Sequence, residues 1–141
     1  MVGVHNVVAL DFGDRRVGVA LASLEARMPN PLLTIDRQNE DVYEAIEKVI
    51  TQYEVCEIVV GLPRSMEGQE TDQTTSTRHF AEELRNRFSL SVHLQDEAAT
   101  SIVAEENLKI LGKPYSKGDI DKTAAAYILR DWLITQQENI V

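Results

Sequence analysis

The stretch Val7-Val8-Ala9-Leu10-Asp11-Phe12-Gly13-Asp14-Arg15-Arg16-Val17-Gly18-Val19-Ala20-Leu21-Ala22 decides the fold. Residues 7–11 are a short apolar run that ends in a charge, the pattern of a buried strand. Residues 17–22 are a second such run, and the link 12–16 is short enough for a hairpin. Residues 32–35 add a weaker third strand, so the chain opens as an antiparallel meander. Downstream the pattern changes. Val42, Ala45, Ile46, Val49, Ile50 and Tyr53 recur at helical spacing and predict a helix over 41–53. A compact β-branched strand follows over 57–61, ended by Gly61-Leu62-Pro63. Phe80, Ala81, Leu84 and Phe88 mark a second helix, and residues 91–94 a last strand. A third helix covers 100–111, stopped by Gly112 and Pro114. After a loop over 113–118, a helix carrying Asp121 closes the chain, and the tail from Gln136 is expected to fray. The polar segment 64–75, rich in Gln, Thr and Glu, reads as an exposed, mobile loop that orders over substrate as a lid does.

Strands separated by helices pair in parallel through right-handed crossovers. Added to the opening meander, this predicts an α/β protein: a five-stranded mixed sheet with helices on both faces. One domain spanning 1–141 is the natural reading of 141 residues, and an apolar fraction of 43% supplies its core.

Composition narrows the function classes. No apolar stretch is long enough to cross a membrane, and no signal peptide is visible at the N-terminus. Cys56 stands alone in the strand around Ile58 and reads as a small buried hydrophobe. With no partner for a disulfide, a reducing, cytoplasmic location is expected. His5, His79 and His93 are scattered, which argues against a zinc site. The net charge of −9 runs against an ordinary nucleic-acid-binding surface. A phosphate-binding role needs a local basic patch, or a divalent cation that supplies positive charge.

Three acidic positions stand out. Asp121, Ala124, Ala125, Ile128, Leu129, Trp132 and Leu133 form one helical stripe, and Asp121 begins it where an apolar residue is expected. A carboxylate aimed at a core is costly unless it is paired, hydrogen-bonded or metal-bound. The ordinary reading is an acid in a first helical turn, favoured by the helix dipole. Asp119 lies about 200° away around the same helix and should face elsewhere. Asp11 ends a buried strand, where ligands of such sheets bind. Gly13 and Gly18 beside it let another backbone approach. A capped hairpin explains Gly13 but not the placement of the acid. Asp96-Glu97 follows the last strand and precedes a helix, where acids are also ordinary decoration. Alternation lets only one of these two face the site, and the sequence leaves open which. If the three acids converge, their oxygens suit one or two Mg²⁺ or Mn²⁺ ions. Two such ions roughly 4 Å apart can cleave a phosphodiester.

The run from Asp11 to Ala20 resembles the opening motif of the YqgF/RuvX family, small bacterial proteins of the RNase H-like fold. Its members are described as pre-16S ribosomal RNA nucleases and as Holliday junction resolvases. Val60-Gly61-Leu62-Pro63-Arg64-Ser65-Met66-Glu67-Gly68 is similar to the second block of that family. Asp96-Glu97-Ala98-Ala99-Thr100-Ser101 is similar to the third, and Lys117, Asp121, Ala124, Ala125, Ile128 and Leu129 to the fourth. The resemblance runs over nearly the whole chain, in order.

What it implies is an RNase H-like three-layer fold and a metal-dependent nuclease, with Asp11, Glu97 and Asp121 as catalytic and metal-binding acids and Mg²⁺ or Mn²⁺ as cofactor. Structured RNA is the expected partner, with the 5′ end of pre-16S ribosomal RNA as the implied task in ribosome biogenesis. Branched DNA is the alternative substrate, and the protein is expected to be a monomer or weak homodimer. The family has Arg directly after the Asp-Glu pair, where this chain has Ala98. Arg15, Arg16, Arg64 and Lys117 are the cations that could contact nucleic acid instead, with Arg15 and Arg16 foremost. Two further classes remain: a non-catalytic nucleic-acid-binding factor, suggested by Ala98 and the acidic charge, and a fragment of an actin-like ATPase, disfavoured because one domain cannot close over a nucleotide.

Overall fold

The computed structural model describes residues 5–65, 67–97 and 100–139. Met66 of the second block, and Ala98 with its missing arginine, lie outside the described residues. Strands β1 (Asn6–Phe12), β2 (Arg16–Ser23) and β3 (Asn30–Asp36) are followed by helix α1 (Val42–Gln52), strand β4 (Val55–Pro63) and helix α2 (Asp72–Arg87). Strand β5 (Ser91–Glu97) and helices α3 (Thr100–Leu111) and α4 (Lys117–Asn139) complete the chain.

The sheet order is β3-β2-β1-β4-β5. β1 pairs antiparallel with β2, and β2 with β3, as the short links require. β1 pairs parallel with β4, and β4 with β5, across the helical crossovers. The expected α/β fold with a five-stranded mixed sheet and helices on both faces is therefore what the chain adopts.

Alternation along β1 sorts its side chains into two cores. Val8 and Leu10 join Val17, Val19, Ile35 and Ile58 under α1 and α2, which contribute Ile46, Val49, Phe80, Ala81 and Leu84. Val7 and Ala9 join Ala20, Ala22 and Val59 under α4, which contributes Ala125, Ile128, Leu129, Trp132 and Leu133. The small residues on this second side let the long helix lie close to the sheet. Gly61 sharpens the point: a Cβ there would stand 2.3 Å from Ile128 Cδ1.

Four expectations are corrected. The segment 64–75 is not all loop, because α2 begins at Asp72. Thr71 and Thr74 form a reciprocal capping box, and buried Thr74 donates from Oγ1 to the Pro63 carbonyl. Polar side chains that satisfy each other hid a helical turn behind a loop-like composition. β5 does not stop at Leu94 but carries Asp96 and Glu97 within it, through pairing with Leu62 and Pro63. α4 starts at Lys117, inside the expected loop, and runs past Gln136 to Asn139. Cys56 is half-buried rather than buried: it sits near the start of β4, its Sγ donating to the Asn6 carbonyl.

Candidate functional site

Asp11 lies on the α4 side of the sheet, in line with Val7 and Ala9. Across the hairpin it faces Gly18. That glycine is required by a close approach: a Cβ on it would stand 2.0 Å from the Asp121 carbonyl oxygen and 2.3 Å from its carbon. Gly18 thus lets the first turns of α4 settle against β2, which brings the Asp121 carboxylate to Asp11. Thr34 fixes the same end of the helix, donating from Oγ1 to the Gly118 carbonyl at 2.6 Å. Asp119 turns away, as its angle predicts. It accepts from the Ser116 N–H at 2.8 Å and pairs with Lys122 at 3.3 Å.

The electrostatics of the pair are uneven. Burial, and then the Asp121 carboxylate beside it, push the Asp11 carboxyl up to about 7. Asp121 is answered by Arg16, whose Nε donates to Oδ2 at 2.5 Å with both side chains largely shielded. Of the two carboxyls, Asp121 therefore has a guanidinium in direct contact.

Glu97 is resolved from Asp96 by alternation. On β5, His93 packs on Trp132 of α4, so Gln95 and Glu97 share that side, whereas Val92 belongs to the opposite core. Asp96 also points away, its side chain 65% exposed and 3.2 Å from Arg64 Nε. Glu97 is thus on the face of Asp11 and Asp121, and its Oε1 is shielded from solvent. Among the described residues no three acids or histidines lie close enough to hold an ion together. The structure gathers Asp11 and Asp121 into a pair, with Glu97 on the same face.

The basic residues divide. Arg16 is committed to Asp121. Arg64 is drawn to Asp96. Arg15 is exposed in the β1–β2 turn, and Lys117 is exposed at the start of α4. Lys117, Arg16 and Asp121 line a cleft of about 400 Å³ with Ile102, Glu105 and Ile120. Sequence reasoning missed Arg37, which follows β3 and donates from Nη1 to the carbonyls of Gly13 (2.6 Å) and Asp14 (3.0 Å). It also missed Gln73, which donates to the Phe12 carbonyl at 2.7 Å. Neither belongs to a periodic pattern, so no local signal marks them.

The donors facing the pair are carboxylate oxygens, the chemistry that Mg²⁺ or Mn²⁺ takes. Burial first and the Asp121 carboxylate second make ionising Asp11 costly, a cost that a divalent cation would offset. The residues present fit such an ion.

The family model described as "RuvX: Holliday junction resolvase" matches residues 5–135. A Chloroflexus aurantiacus protein named "Putative pre-16S rRNA nuclease" is 38% identical over 136 residues, covering 94% of this chain and 89% of the relative. A Chromobacterium violaceum protein of the same name is 38% identical over 129 residues, covering 89% and 94%. Among solved structures, Thermus thermophilus RuvC in complex with a Holliday junction substrate gives a TM-score of 0.44 at 13% identity, covering 94% of this chain and 96% of that one.

Proposed function

The chain belongs to the RuvX family, and from that premise we propose that it is a divalent-metal-dependent nuclease of structured RNA that processes the 5′ end of pre-16S ribosomal RNA. The observation that carries this reading is the Asp11–Asp121 pair, a carboxyl near the end of β1 set beside one on the first turns of α4, the latter paired with Arg16. Relatives at 38% identity, named as pre-16S rRNA nucleases, support the choice of RNA. The cytoplasm, where such a precursor is made, is the proposed location; among the described residues no helix is long and apolar enough to cross a membrane.

Asp11 and Asp121 would hold Mg²⁺ or Mn²⁺, and Glu97 on the same face would become a further oxygen ligand only by moving toward them. The ion, when bound, activates a water and stabilises the leaving oxygen of the phosphodiester. The rest falls to the chain. Gly18 and Thr34 fix the Asp121 backbone against the sheet, so the pair is set before substrate arrives. Arg16 neutralises Asp121 in the free protein and is placed to turn its guanidinium to a phosphate once a cation replaces it. Lys117 and Arg15, exposed at either side, supply point charges for the backbone that an acidic body otherwise lacks.

A second reading, resolution of four-way DNA junctions by the same acids, is favoured by the family description itself. It calls for two symmetric cuts and so for a dimer. The deciding experiment incubates the protein with a 5′-extended 16S precursor and with a four-way junction, in Mg²⁺, Mn²⁺ or chelator. Metal-dependent cleavage of the RNA alone is expected. Symmetric cutting of the junction by a dimer, with the RNA intact, would transfer the assignment to DNA. Binding of either without cleavage in any metal would leave a non-catalytic factor.

A further inference from the structure

At the end of β1 the chain presents a second concavity, on the opposite side of the sheet from the acid pair. It is a recess of about 350 Å³ whose walls include Phe12, Arg37, Tyr43, His79 and Phe80. Phe12 follows Asp11 directly, and alternation turns its ring to the α1–α2 side. There it stacks on Phe80 with centroids 4.1 Å apart and planes 10° from parallel. The Tyr43 ring lies 6.0 Å from Phe80. Arg37 lies over Phe12, its guanidinium carbon 4.5 Å from the ring centroid. Its Nη1 is fixed by the Gly13 and Asp14 carbonyls, while Nε and Nη2 make no hydrogen bond among the described residues. Two acids, Asp14 and Glu83, and the hydroxyl of Ser76 complete the lining.

We infer that this recess receives one unpaired base of the nucleic-acid strand whose phosphate lies at the acid pair, with Arg37 as the flat surface on which the base stacks. The inference rests on the nuclease reading above and specifies its substrate as single-stranded next to the cut. Bases that are read one at a time are splayed out and stacked on aromatic rings or guanidinium planes. Arg37 is such a plane, and it is already oriented, so little side-chain freedom remains to be lost on binding. The recess is of the size that takes a small planar ligand. Its two carboxylates, Asp14 and Glu83, accept hydrogen bonds and offer none; Glu83 Oε2 already accepts from Arg87 Nε at 3.2 Å, which leaves Oε1 for a ligand. They select a base whose edge donates. Guanine, with an imino and an amino donor side by side, fits best, and uracil, with one imino donor, fits least. The site also explains placement: Asp11 and Phe12 are consecutive and face opposite sides, so a strand that crosses the end of β1 meets both. A duplex, with its bases paired and stacked inside, cannot use the recess.

The test is fluorescence anisotropy with labelled RNA hexamers in chelator, where nothing is cut. One hexamer carries a single guanine in a uracil run, one is all uracil, and a third is the guanine hexamer paired to its complement. The wild type is expected to prefer the single-stranded guanine hexamer over both others. Ser76→Trp, on the exposed face of α2, fills the recess without touching the Arg37 clamp and should weaken that complex about tenfold. Glu83→Gln should reduce the preference for guanine over uracil, and Arg37→Gln should weaken both single strands. Equal binding of all three RNAs, or wild-type affinity in Ser76→Trp and Glu83→Gln, would overturn the inference. Because no metal is present, this result is independent of whether the acid pair cleaves.

Discussion

On the α4 side of β1, Asp11 sits against Asp121, and Arg16 alone of the described cations is in direct contact with the pair. One residue further along the same strand, on the α1–α2 side, Phe12 is stacked on Phe80 and covered by Arg37, whose cation is held by backbone carbonyls and a ring. The two sides are built from adjacent residues, yet one sets two carboxyls against each other and the other pairs its cation with backbone carbonyls and a ring. A protein tolerates surplus buried charge where something else comes to offset it. In the proposed nuclease the chemistry therefore falls to the acid pair and the positioning to the Phe12–Arg37 side.

The largest expected effect breaks the side of the acid pair. Asp11→Asn and Asp121→Asn should each lower metal-dependent cleavage on the order of 10³-fold or more, measured as single-turnover rates on the precursor RNA. Neither variant should lose its fold, since Asp11→Asn removes a repulsion and Asp121→Asn keeps the side-chain volume and an oxygen that can accept from Arg16.

The pH dependence sharpens the same side. A carboxyl raised from its ordinary 3.8 to about 7 is penalised in the folded state when ionised. Between those values the native protein holds the proton that the unfolded chain has lost, so stability falls as pH rises through the window. Below about pH 4 the group costs nothing, and above about pH 7 the loss is complete, on the order of 4 kcal/mol. In chelator, Asp11→Asn should therefore match the wild type near pH 4 and be the more stable protein at pH 8, by urea unfolding at the two values.

Next in size is the approach of α4 to β2. Gly18→Ala places a methyl against the Asp121 backbone, which cannot give as a flexible side chain can, and should cost about 2–3 kcal/mol in urea unfolding. Gly61→Ala meets only the side chain of Ile128 and should cost less than Gly18→Ala. The smallest expected effect concerns Arg16. Arg16→Gln removes the cation that competes for Asp121 and should tighten Mn²⁺ binding to the free protein roughly tenfold, by calorimetric titration.

Much of this was legible in the sequence. The hairpin, the crossovers and the mixed sheet follow from strand length and spacing, which local patterns report directly. Asp121 was visible because an acid broke an apolar stripe, and Gly18 because a glycine beside a strand-end acid implied a close approach. The start of α2 was not legible, since Thr71 and Thr74 satisfy each other in a way composition does not reveal. The choice between Asp96 and Glu97 needed the register of β5 against β4, a non-local fact. Arg16 was read as a phosphate contact on account of its position. That it spends the free state on a residue 105 positions away required the fold. Arg37 acts through carbonyls and a ring, partners that leave no mark in a single sequence.

The central claim is that Asp11 and Asp121 together form a divalent-cation site. Electron paramagnetic resonance of Mn²⁺ titrated into the wild type, Asp11→Asn and Asp121→Asn tests it without any substrate. The account predicts that the wild type removes free Mn²⁺ signal stoichiometrically and that both variants, folded by circular dichroism, leave it free. Equal Mn²⁺ binding by all three proteins would contradict it.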